Sequence, residues 1–87
     1  MSSTPLAGIR VVDLSRHLPG PYAARILRDL GARVVKVEEP EIGDPVRSVR
    51  PFKEGVSALA AVLLAGLESV ALDLKREGAR AVLHRLL

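Results

Sequence analysis

The chain has 87 residues, with 13 basic and 10 acidic side chains and a net charge of +3. It has no cysteine, which excludes disulfides, a thiol nucleophile and thiolate metal ligands. Its one tyrosine and one phenylalanine supply no stacking platforms, and acids sit among the basic residues, so no nucleic-acid partner is expected despite the basic balance.

A chain this short buries only about 60–65% of the surface that its unfolded form exposes, which leaves a thin stability margin. Hydrophobic residues make up 48% of it, enough for a core of Val, Leu, Ala and Ile. The apolar helical pattern runs to the last residue without a cap, so more protein is expected to follow. The first residues, Met1-Ser-Ser-Thr-Pro5, lack the basic and apolar regions of a signal peptide. The longest apolar run, Val56 to Leu67, is too short to span a bilayer. A cytoplasmic location with no membrane partner is the expectation.

Residues 1–8 read as a polar leader ending in Gly8. Ile9, Val11, Val12 and Leu14 form a short β-branched run, which predicts a buried parallel strand over 9–14. Pro19-Gly20-Pro21 stops it, and Pro21 suits the first turn of a helix, where its missing N–H would have no partner. Ala23, Ile26, Leu27 and Leu30 fall at i, i+3, i+4 and i+7, the spacing of one helix face over 21–30. Gly31 stands where a left-handed C-cap is expected. Val34, Val35 and Val37 then predict a second strand over 33–38. The unit is β-α-β, and its crossover should be right-handed.

Residues 39–55 are punctuated by Pro40, Gly43, Pro45, Pro51 and Gly55. That is longer than the roughly 2–6 residues of an ordinary connection. It predicts a mobile loop in an isolated domain, or an ordered one over a site in a complete enzyme. Within it, Asp44 and Arg47 could form an ordering ion pair. A helix is predicted over 56–66, with Ser57 as N-cap and Gly66 as stop. A third strand comes next, over Ser69–Leu74. A last amphipathic helix begins at Glu77, with Ala79, Val82, Leu83, Leu86 and Leu87 on its inner side. The fold class is α/β: a Rossmann-like βαβ unit with a short parallel sheet of about three strands.

In an open parallel sheet, ligands bind beyond the carboxyl ends of the strands. The loop Ser15–Gly20 leaves that edge and carries His17, a residue type often used for proton transfer and ligand binding. It has no carboxylate or nucleophile at motif spacing, so a solvent-facing or structural role competes with a pocket-lining one. His84, in the last helix, reads as exposed, and two histidines so far apart make no metal motif. Neither Gly-x-Gly-x-x-Gly nor a Gly-Lys-Ser/Thr phosphate loop is present. Asp73 could cap a turn, and Lys75 could meet a phosphate as a point charge.

Five ordered motifs together resemble the N-terminal segment of class III CoA-transferases. They are Pro5-Leu-x-Gly-Ile-Arg-Val-Val-Asp-Leu-Ser15, then Pro19-Gly20-Pro21, then Asp29-Leu-Gly-Ala-x-Val-Val-Lys-Val-Glu38, and finally Gly43-Asp44-Pro45-x-Arg47 with Ser69-Val-Ala-Leu-Asp-Leu-Lys75. The family includes formyl-CoA transferases, carnitine CoA-transferases and α-methylacyl-CoA racemases. The resemblance implies an enzyme that takes CoA thioesters and no metal. It implies that His17, Leu18 and Pro19 lie against the thioester, and that Glu39, Leu72, Asp73, Leu74 and Lys75 occupy positions along the CoA site. It also implies interlocked homodimers in the complete protein. The family's catalytic aspartate lies downstream of these motifs, so no catalytic residue is assigned and the 87 residues alone should be inactive.

Two departures stand out. Relatives carry arginine where this chain has Glu39, and a basic stretch near Asn-Arg-Gly-Lys-Arg where it has Leu64-Ala-Gly-Leu-Glu68. Both changes oppose an anionic ligand. They motivate an alternative: a diverged, non-catalytic α/β scaffold or oligomerisation module that has lost CoA binding.

Overall fold

The structure, a computed structural model, describes residues 4–87; residues 1–3 of the leader lie outside them. Strand β1 (Arg10–Asp13) leads into helix α1 (Pro19–Asp29) and strand β2 (Arg33–Glu38). A 3-10 turn (Pro45–Ser48) and a hairpin of β3 (Phe52–Lys53) and β4 (Val56–Ser57) come next. Helix α2 (Ala58–Leu63), strand β5 (Glu68–Ala71) and helix α3 (Glu77–Leu86) complete the order. The main sheet is parallel, in the order β1-β2-β5. The α/β reading with a three-stranded parallel sheet holds.

β2 is the central strand, and Val34, Val35, Lys36 and Val37 are all buried. A continuous apolar run is what a parallel strand covered on both faces requires. Side chains alternate, so Val34 and Lys36 share one face. Val34 packs with Ala24 and Ala32, supported by Leu6, Val11, Leu27 and Leu67.

Helix α1 begins two residues earlier than its periodicity predicts, at Pro19, where the absent N–H costs nothing. Its end is as expected: the Gly31 amide donates to the Arg28 carbonyl at 2.9 Å, with Gly31 at φ +105°. The buried stripe is Pro21 and Ala24, with Leu27 half-buried. Ala23, Ile26 and Leu30 of the expected face are exposed. A sheet only three strands wide covers a narrow stripe of the helix, and the small residues let the helix lie close to it. For the same reason Ile9 and Leu14, just outside β1, are half exposed.

The 39–55 connection is ordered. Asp44 caps the 3-10 turn by accepting the Val46 amide at 2.9 Å. Glu54 and Gly55 both have positive φ, 53° and 80°. They form the two-residue turn that joins β3 to β4 and matches the twist of paired strands. This hairpin takes Val56 and Ser57 out of the predicted helix, so α2 runs only from 58 to 63. Val46, Ala60 and Leu63 form a second buried cluster.

Ser57 caps α2 as predicted: its Oγ accepts the Ala60 amide at 3.3 Å. The residue is buried, so Ser57→Ala is expected to cost about 1 kcal/mol. A urea midpoint unchanged from wild type would show that the cap contributes nothing.

β5 spans 68–71, not 69–74, because the chain turns away after Leu72 donates to the Glu38 carbonyl at 3.0 Å. Leu72, Asp73 and Leu74 are therefore loop residues. In α3, Ala79, Leu83 and Leu86 are half-buried, while Val82 and Leu87 of the predicted inner side are exposed; no residue of the helix is buried.

Candidate functional site

The carboxyl ends of all three parallel strands meet at one edge. Two adjoining clefts open there. The first, about 160 Å³, lies between the loop Leu14–Arg16 and the loop Gly43–Asp44, with Val37 and Glu38 from the end of β2 and Leu72 and Leu74 from beyond β5. The second, about 550 Å³, lies between Glu39–Ile42 and the segment Asp73, Lys75, Arg76. Glu39 lines both.

Beneath the first cleft sits a buried charge cluster. Lys36 is 1% exposed, Asp44 2% and Asp13 6%. Parallel register places Asp13 directly opposite Lys36. Lys36 Nζ lies 3.4 Å from Asp13 Oδ2 and 2.7 Å from Asp44 Oδ2, and donates to the Ser15 carbonyl at 3.1 Å. The Asp44 contact is close but off hydrogen-bonding geometry, so charge rather than direction holds it. The remaining oxygens face backbone. Asp44 Oδ1 accepts the His17 and Val46 amides, both at 2.9 Å. Asp13 Oδ1 accepts the Ser15 amide at 2.8 Å and the Ser15 hydroxyl.

Burial pushes the Asp44 carboxyl toward a higher pKa. Lys36 and the Val46 and His17 amides outweigh that, and hold it below the ordinary aspartate value. Asp44 is therefore held in its charged form beside the Lys36 ammonium.

The structure brings five of the predicted site residues to the clefts. Glu39, Leu72 and Leu74 line the first, and Glu39, Asp73 and Lys75 line the second. Asp73 also accepts the Lys75 amide at 3.1 Å, the turn cap anticipated for it. Leu18 and Pro19 are exposed at the start of α1 and line neither cleft. His17 is exposed, in a left-handed conformation at φ 71°, and enters the arrangement through its amide. A tight turn after β1 demands that backbone, and histidine is among the residues that adopt it more readily.

The expected Asp44–Arg47 pair does not form. Asp44 faces inward to Lys36, and Arg47 reaches back to Glu38 with Nη2–Oε1 at 2.8 Å. Lys36 itself escaped sequence reasoning. The one signal was a lysine inside a valine strand that has no exposed face.

Glu39 carries the local electrostatics. It pairs with Arg16 at 3.5 Å across the mouth of the first cleft, both side chains about half exposed. The second cleft mixes Glu39, Glu41 and Asp73 with Lys75 and Arg76. Its cationic side can meet an anion, and its acidic side opposes one.

Residues 6–87 match the family described as CoA-transferase family III. The chain belongs to that family. It is 42% identical over 78 residues to the acetyl-CoA:oxalate CoA-transferase of Acetobacter aceti, a match that covers 90% of this chain and 20% of the relative. It is 43% identical over 89 residues to the succinate–glutarate CoA-transferase of Agrobacterium fabrum, covering 94% and 22%. A crystal structure of a CAIB/BAIF family protein from Brucella suis superimposes with a TM-score of 0.85 at 40% identity, covering 98% of this chain and 24% of that one. The chain thus spans about a fifth of the curated family III relatives that it matches.

Proposed function

We propose that this chain is the N-terminal, CoA-binding portion of a CoA-transferase that moves CoA between carboxylic acids. The family match over 6–87 carries the reading. The two clefts at the ligand-binding edge of the sheet support it: a mostly apolar one, and a larger one bordered by Lys75 and Arg76. The two curated relatives are CoA-transferases, which favours transfer over the proton abstraction of an acyl-CoA racemase. A homodimer in the complete protein belongs to the same proposal, on the resemblance alone.

Calorimetric titration of CoA into the folded chain tests the reading. Micromolar binding that weakens with added salt is the expected result. No heat from a chain that circular dichroism shows to be folded would favour the second reading, a scaffold that has lost the ligand. Glu39 and the acidic side of the second cleft are what favour that alternative.

Glu39→Arg separates the two. The substitution changes the cleft's charge by two units toward attraction and leaves the buried cluster untouched. At roughly 1 kcal/mol per unit pair near 4 Å in water, the two units amount to about 2 kcal/mol, and CoA affinity should rise about thirtyfold. Unchanged affinity would mean that the charge at position 39 does not govern ligand binding.

A further inference from the structure

We propose that Lys36 and Asp44 are positioning residues that set the spacing of the first cleft's walls. That the ligand is CoA rests on the proposed function. The cleft's two walls are the loop after β1 and the loop after β2. Neither loop is held to the other by apolar packing: Leu14, Arg16, His17 and Leu18 are exposed. What joins them is polar: the exposed Arg16–Glu39 pair at the mouth and, beneath it, a buried set of contacts. Asp44, in the second loop, accepts the amide of His17 in the first at 2.9 Å. Lys36, from the strand between them, donates to the Ser15 carbonyl of the first loop and meets Asp44 of the second at 2.7 Å.

The tie is over-determined at one end only. Asp13 holds Ser15 through both its amide and its hydroxyl and lies opposite Lys36 in the sheet. The first loop therefore keeps its anchor if Asp44 is lost. For the buried tie the second loop has no such duplicate: Arg47 holds it to Glu38 of β2, not to the first loop, and the Arg16–Glu39 pair that spans the mouth at 3.5 Å is exposed. Asp44 is the residue whose removal breaks the buried tie between the walls. Its removal also leaves a balanced pair, Lys36 with Asp13, in place of one cation between two anions. Loss of Asp44 should therefore separate cleft geometry from gross folding.

Asp44→Ala and Asp44→Ser are the variants. A serine hydroxyl can still cap the 3-10 turn, but it is one bond shorter than the carboxylate, whose Oδ1 reaches both the Val46 and the His17 amides. Asp44→Asn is the conservative comparison: its Oδ1 can accept both amides without the charge. Amide hydrogen exchange and CoA titration are read on the same intact chain. In Asp44→Ala and Asp44→Ser, the His17 amide should lose its protection and CoA affinity should fall about tenfold, the cost of ordering two walls being transferred to the binding step. Asp44→Asn should restore His17 protection and most of the affinity.

A role in stability alone predicts otherwise. The thermal midpoint would then fall in all three variants while CoA affinity of the folded fraction stayed within about twofold of wild type, and that result overturns the proposal. Exchange at His17 that is equally slow in Asp44→Ala, Asp44→Ser and wild type overturns it as well. If wild type binds no CoA, the ligand reading fails by itself, and the His17 exchange comparison still decides whether Asp44 holds the walls together.

Discussion

Lys36→Met is expected to unfold most of the chain at neutral pH. Methionine fills nearly the same space, so the loss is electrostatic. Asp13 and Asp44 would remain buried, at 6% and 2% exposure, with no cation between them. Removing one partner from a buried ion pair costs about 3–5 kcal/mol. A domain of this size has about 5 kcal/mol in total, so little or nothing would be left.

The pH dependence identifies the cause. In the wild-type chain the folded Asp44 pKa lies below its unfolded value. Its contribution is present above the unfolded value and is lost as pH falls through the folded one. In Lys36→Met the Asp44 carboxylate lacks its cation, and burial alone raises its pKa. Lowering the pH then neutralises it and relieves the penalty. Both effects bring the two proteins together in acid. Urea denaturation at neutral and at acidic pH checks this. A stability gap that stays constant or widens in acid would show that Lys36 acts through packing, not charge.

Gly20→Ala is expected to destabilise the chain by about 2 kcal/mol, although alanine is the better helix former by up to about 1 kcal/mol. Gly20 lies in the first turn of α1, and a Cβ there would land on the Ser15 side chain, with the Ser15 Cα only 3.4 Å away. Ser15 cannot step aside freely, since its amide and hydroxyl are both held by Asp13. Overpacking of this kind typically costs about 1–3 kcal/mol. Ser15→Gly removes the obstructing atoms, so the double variant Ser15→Gly/Gly20→Ala should show a favourable coupling of about 1 kcal/mol or more in a double-mutant cycle. A higher urea midpoint for Gly20→Ala alone, or zero coupling, would rule the clash out.

The β-α-β half was legible because each of its elements is long or sharply punctuated. Three valines with a lysine and a closing glutamate spell β2, and Pro19, Pro21 and Gly31 mark the limits of α1. The buried stripe of α1 was not legible. Ile26 and Leu30 have helical spacing, but the width of the sheet decides which residues are covered, and width is a tertiary property. The hairpin escaped because two-residue strands carry no alternation. Only Gly55 signalled it, and glutamate is an unusual partner for glycine in such a turn.

At the site, Glu39, Asp73 and Lys75 could be placed at one edge from strand order and family resemblance. The Lys36 cluster could not. Its members lie at 13, 36 and 44, and no short motif links them. Parallel register brings the first two together, and the inward turn of Asp44 supplies the third.

The sheet has a further consequence for how the molecule meets others. Of its three strands, only β2 has neighbours on both sides; among the described residues β1 and β5 each leave one row of backbone N–H and C=O groups unpaired. Neither strand contains a proline or a lysine, the residues that commonly blunt such borders. An incoming extended segment could lengthen the sheet by backbone hydrogen bonds alone, before any side chain had been selected. In a concentrated solution the most abundant supplier of such segments is the chain itself, so the width of this sheet ties its solution behaviour to protein concentration.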